Sequence, residues 1–197
     1  METNEQGLKY AGFWRRLGTH VVDTVIWLTP VFFLQHFFGG EAERQATVYW
    51  GYFSFFAYSW FEIFLVYRYG GTPGRLLLKT KIRKLDGSPV TLREAGLRYS
   101  VSFIFTLLTT IGTVISNSRL DPSVYNLNIA QRSEAILASQ PGWMHPLMIV
   151  FQVWIMSEFV VMMLNKKRRA IHDFIAGTVI LQDPLPTLAD AKVDFVG

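Results

Sequence analysis

Four stretches of about twenty nearly uncharged residues leave this chain few ways to fold. A bilayer core about 30 Å thick is crossed by roughly 20 apolar residues in helical form. Windows of that kind run over residues 17–38, 48–67, 95–116 and 143–164, and a charged lead-in starts the third helix at 92. Half of the 197 residues are hydrophobic, 17% are charged, and the mean hydropathy is +0.23, which is too apolar for a disordered chain. A soluble bundle would have to hide four such runs in one domain. The sequence therefore predicts an all-α membrane protein with four transmembrane helices, 17–38, 48–67, 92–116 and 143–164. The first window ends in Phe37-Phe38-Gly39-Gly40 instead of a small-residue cleavage site, so it reads as a retained span and not a signal peptide. With no cysteine in the sequence, disulfide frameworks, thiol nucleophiles and Cys-ligated metals are excluded.

The placement of Lys and Arg sets the expected orientation. Sixteen of the nineteen basic residues lie before the first helix, between or at the ends of the second and third, or after the fourth; Arg44, Arg119 and Arg132 are the three on the other side. Both termini and the loop 68–91 are expected in the cytosol, with 39–47 and 117–142 outside. Residues 1–197 read as one membrane domain with a cytosolic tail over 165–197. The net charge of +4 would suit nucleic acid if it were spread over a soluble surface. Held beneath a bilayer, it suits anionic lipid headgroups instead, each nearby Lys or Arg contributing roughly 1 kcal/mol. The expected partners are the bilayer, anionic headgroups and further copies of the chain, since four helices enclose little space alone, and not nucleic acid.

The segments between the spans carry their own signals. Gly70, Gly71, Pro73 and Gly74 end the second helix. Asp86-Gly87 is a type I′ turn dipeptide, which predicts a short basic hairpin. Thr91 and Glu94 fit a capping box that opens the third helix. After the fourth span, Lys166 to Arg169 stop translocation, 170–176 reads as a short juxtamembrane helix closed by Gly177, and 178–181 is apolar and β-branched enough to pair with the hairpin.

Three strings, YAGFWRRLGTHVVD, GGTPGRLLLKTKIRKLDG and KKRRAIHDFIAGTVIL, resemble motif regions of the RDD family of bacterial multispanning membrane proteins, over about residues 10–183. The family is named for an arginine and two aspartates, and the matching residues here are Arg16, Asp23 and Asp173. Gly18-Thr19-His20 and the long segment 117–142 depart from the family pattern. The resemblance implies a multi-pass protein of the bacterial inner membrane, often described as a transporter, with no assigned biochemical activity.

Ionisable side chains within the spans are costly and therefore informative. Arg16, His20 and Asp23 share one face of the first helix. With 1.5 Å of rise per residue, Asp23, Glu62 and Glu158 each lie about 8–9 Å inside the expected cytosolic boundary, on three different helices. Two readings follow. One is a structural charge network of Arg16, Arg98 and Asp173, in which Arg16 and Arg98 neutralise Asp23, Glu62 or Glu158 and orient the helices. The other is a cation or proton site formed by Asp23, Glu62, Glu158 and His20. The acidic partner expected for Arg16 is Asp23 or Asp173.

Other constellations carry less. His172-Asp173 lacks a second histidine at metal spacing, Gly70 to Arg75 lacks phosphate-loop spacing, and Ser157 beside Glu158 makes no nucleophile–base pattern. No cofactor, metal site or enzymatic activity is expected. The functions in view are a small cation or proton-coupled transporter using intramembrane carboxylates, and a non-transporting accessory protein that meets partners or anionic lipid through its basic loop and tail.

Overall fold

The computed structural model describes residues 9–38 and 40–182; Gly39 and the tail beyond 182, expected in the cytosol, lie outside the described residues. In chain order the elements are α1 (Phe13–Phe37), α2 (Gly40–Trp60), a π-helical turn (Phe61–Leu65), α3 (Val66–Tyr69), α4 (Pro73–Leu77), β1 (Thr80–Lys84), α5 (Leu92–Arg119), a 3-10 turn (Pro122–Asn126), α6 (Ile129–Ser139), α7 (Met144–Leu164), α8 (Ile171–Ala176) and β2 (Thr178–Gln182). Trp60, Leu65 and Val66 keep right-handed helical angles, so α2, the π turn and α3 form one rod that ends at Gly70, whose φ is +80°.

Two helices, α5 and α7, are long and apolar enough to cross a membrane. At 28 and 21 residues they reach about 42 and 32 Å. A core helix of a soluble protein passes the same test while mostly buried, but only 17% and 6% of these apolar windows is buried. The inversion extends beyond these two helices. Arg16, Arg75, Arg98, Glu43, Glu158 and Asp173 are inside, while Val25, Phe32, Phe56, Val153 and Leu164 are outside. Water would penalise that arrangement, and hydrocarbon rewards it.

Several expectations are corrected. The first helix starts at Phe13 rather than 17, and the second at Gly40 rather than 48, because Glu41 and Glu43 in its first turn suit the positive end of a helix. Segment 117–142 is not an open loop. Asp121 accepts a hydrogen bond from Ser123 N (2.8 Å) to start the 3-10 turn, and Asn128 accepts one from Gln131 N (3.0 Å) to start α6. The hairpin shrinks to the Asp86-Gly87 turn and a single bridge between Arg83 and Pro89. The strand partner of β1 is β2, antiparallel, from Thr80 opposite Gln182 to Lys84 opposite Thr178. An all-α description thus omits a two-stranded sheet. The capping box does open α5, with Glu94 accepting from Thr91 N at 2.7 Å.

The sheet closes the basic end of the bundle. Tyr10 bridges Leu181, Ala11 N donates to Ile180 O (2.9 Å), and Ala11, Val66, Ile82, Val90, Ala95 and Ile180 form its apolar core. At the opposite end Glu43, almost wholly buried, pairs with Arg132, whose Nη2 also donates to Tyr125 O (2.5 Å). Tyr125 Oη donates to Asn117 Oδ1 (2.8 Å), and Arg44 joins Glu41 (2.7 Å) to Asn117 O (3.3 Å).

Candidate functional site

Asp173, with no exposed surface, is the centre of the charged cluster at the basic end. It stands in the first turn of α8, where its Oδ2 accepts from Ala170 N (3.0 Å) and fixes the start of that helix. Arg16 Nη1 from α1 donates to Oδ2 at 2.9 Å, and Arg98 Nη1 from α5 donates to Oδ1. Thr178 Oγ1 adds a donor to Oδ1 at 3.2 Å. Of the two acidic partners open to Arg16, the structure joins it to Asp173 and not Asp23. One carboxylate between two guanidinium groups leaves an excess positive charge.

His172 continues the chain of contacts. Its Nε2 lies 2.6 Å from Arg98 Nη2, and its Nδ1 lies 2.6 Å from Glu158 Oε2, though out of line for a hydrogen bond. Arginine only donates, so Nε2 must accept and the ring must be neutral with its proton on Nδ1. Burial, reinforced by the charges of Arg98, Arg16 and Arg75, holds the His172 pKa well below the usual histidine range.

Asp23 does different work. It accepts from Thr72 Oγ1 (2.6 Å) and from Gly74 N (2.8 Å), and so fastens α4 to α1. Thr72, Pro73 and Gly74 supply the cap residue, the fixed φ and the close approach: a Cβ on Gly74 would sit 2.5 Å from Thr19 O. That contact turns Arg75 inward, where its Nη1 lies 3.4 Å from Glu62 Oε2 and 3.3 Å from Thr72 Oγ1. Glu62 belongs to the π turn, whose extra residue per turn rotates the carboxylate relative to a regular helix.

Two cavities meet in this cluster. One of about 370 Å³ is lined by Arg16, Arg75, Arg98 and Glu158, with Phe151, Trp154 and Phe159 of α7 as an apolar wall. The other, about 350 Å³, is lined by Asp23 and Glu62 without any Lys or Arg, together with Trp27 and Trp50. His20, Thr24 and Tyr58 line both. The His20 ring is exposed to this space, and among the described residues no hydrogen bond ties it down. The structure therefore brings Asp23, Glu62 and His20 to one cavity and puts Glu158 on its neighbour. Among the described residues no group of three or more His, Asp or Glu side chains is arranged to hold a metal ion.

Arg75 is the residue that sequence reasoning missed, having been counted with the loop charges that meet headgroups. Its signal was the preceding Thr72-Pro73-Gly74, which encodes a capped helical turn too tight against α1 for Arg75 to point outward.

The sequence profile of the RDD family matches residues 10–177, a span that takes in every member of the cluster from Arg16 to Asp173. The chain belongs to the RDD family. No curated protein and no solved structure is similar to it at a significant level. Membership and the exposed apolar helices together make this a membrane protein. In this RDD protein the arginine and two aspartates highlighted by the family resemblance have separate tasks: Arg16 and Asp173 form the buried ion pair, and Asp23 anchors α4.

Proposed function

We propose that this RDD protein is a small cation or proton-coupled transporter of the bacterial inner membrane, with four spans and both termini in the cytosol. The observation that carries this reading is the His20 ring, which makes no hydrogen bond among the described residues and stands at the join of two cavities whose linings carry opposite charge. An imidazole carries one nitrogen that accepts a proton and one that donates, so it can take a proton from one side and pass it to the other. On the acidic side Asp23 and Glu62 attract the ion; on the other, Glu158 accepts it among arginines. In proteoliposomes loaded with a pH-sensitive dye, an imposed pH gradient should collapse faster with the protein than without it when Na⁺, K⁺ or a solute is supplied, and Glu62→Gln should abolish the effect. No protein-dependent flux with any cation or solute would sink the transporter.

The second reading, an accessory protein held on lipid or partners, draws support from exposed Lys79, Lys166, Lys167 and Arg168 near exposed Leu76, Leu77 and Phe174. It predicts adhesion of the basic surface to anionic vesicles and no flux.

A further inference from the structure

Three arginines line the larger cavity, and they differ in what they leave free. Arg16 uses all three guanidinium nitrogens on Ala11 O, Asp173 and Arg168 O. Arg98 directs both terminal nitrogens to Asp173, Thr178 and His172. Arg75, whose side chain is 7% exposed, uses Nη1 alone, in two long contacts of 3.3 and 3.4 Å. Its Nε and Nη2 have no protein partner among the described residues. Neither nitrogen is sealed in the protein, and Arg75 lines the cavity, so the two free donors are open to an acceptor of the sort that a ligand supplies.

The rest of the wall describes that ligand. Three arginines and one carboxylate line the cavity, and Asp173 behind Arg16 and Arg98 together with Glu62 beside Arg75 balances the set, so the two free donors of Arg75, and not a net charge, are what call for an acceptor group. The α7 side offers Phe151, Trp154 and Phe159, with Phe159 also in edge contact with Phe13 at 5.6 Å between ring centroids. The volume of about 370 Å³ suits a small organic molecule and is far more than one inorganic ion needs.

We propose that this cavity binds an amphiphilic organic anion, with its carboxylate or phosphate held by Nε and Nη2 of Arg75 and its apolar body against α7. The proposal deepens the transporter reading by naming the class of solute, yet the site stands or falls on binding alone. The anion has two sources, a free solute or the headgroup of a membrane lipid, and both present the same chemistry to Arg75.

The test uses the full chain in phosphatidylcholine nanodiscs, with radiolabelled octanoate as probe and empty discs as background. Saturable octanoate binding is expected, displaced by octyl phosphate and weaker by about tenfold or more for octan-1-ol and inorganic phosphate. The double variant Arg75→Gln with Glu62→Gln, which removes both charges of the pair, should weaken binding by about tenfold or more. Ile155 also lines the cavity from α7, and Ile155→Trp, which fills that wall without touching any charge, should block binding even if the double variant does not fold. Loss of octanoate binding in discs containing phosphatidylglycerol identifies a lipid headgroup as the source; retention identifies a free solute. Non-saturable binding, equal binding of octan-1-ol or inorganic phosphate, or parent-like binding by both variants overturns the site. Octanoate binding without proton flux would keep the site and remove the carrier, whereas proton flux without octanoate binding would do the reverse.

Discussion

Both ends of the bundle bury charge, and they bury it differently. At the end that holds Glu43 and Arg132, the ion pair is folded into α2, the 3-10 turn and α6, and neither cavity is lined by its residues. Glu43 Oε2, Asn117 Nδ2 and Arg132 Nε are left without partners there, but they are sealed. At the basic end the Arg16–Asp173–Arg98 set borders open space, and His20 and Arg75 turn unused groups toward it. The difference teaches that a buried ion pair is no functional signal by itself, since one clamps a fold at each end. The signal is an unsatisfied group with room in front of it.

The largest effect should come from removing the acid that two arginines share. Asp173→Ala leaves Arg16 and Arg98 buried without a counter-charge and should cost about 3–5 kcal/mol, enough to eliminate monodisperse protein in detergent. Normal yield and melting would mean that the cluster is far wetter than its burial indicates. Glu43→Gln keeps one hydrogen bond to Arg132 but removes the charge, and should lower stability by about 1.5–3 kcal/mol. Flux and octanoate binding should survive it; their loss would break the distinction between the two ends. Gly74→Ala drives a methyl group into Thr19 O and Asp23, and should cost about 1–3 kcal/mol in thermal unfolding while also weakening octanoate binding through displaced Arg75.

The smallest effect is with pH. The His172 pKa is lowered in the folded protein, so the unfolded chain binds the extra proton and stability declines as pH falls below the ordinary histidine value of about 6.5. The exposed Glu41 carboxyl at the other end is held down to about 2 by hydrogen bonds from Arg44 and Gln45, so its pairing persists until the pH falls through about 2. Hydrogen exchange between pH 7 and 5 should therefore loosen α8 before the first turn of α2, and His172→Gln should flatten the response. Simultaneous loosening of both ends would contradict this order.

Much of the fold was legible where one residue's chemistry sets a local outcome. Thr91 and Glu94 marked the start of α5, Gly177 the end of α8, and the β-branched run 178–181 the strand that pairs with 80–84. Arg16 and Asp173 were legible through the motifs of the family resemblance, and Asp173 as one of two acids expected to meet Arg16. What escaped depends on azimuth and on distant packing. Rise per residue gives the depth of Asp23, Glu62 and Glu158 but not the direction in which each points, and the π turn redirects Glu62 in a way no spacing rule foresees. The inward turn of Arg75 is set by α4 lying on α1, a contact between residues 51 apart in the chain. Segment 117–142 had its helix signals in Asp121-Pro122 and Asn128, but a loop assignment drawn from charge asymmetry passed over them.

The shared acid also sets a schedule for biogenesis. Asp173 follows Arg16 by 157 residues and Arg98 by 75. At 5–20 residues per second, Arg16 waits about 8–30 s after its own synthesis before its carboxylate exists. Both guanidinium groups must therefore pass through the early steps of membrane insertion as solvated, unmatched cations, and the helices that bear them can lock together only when the final strand arrives.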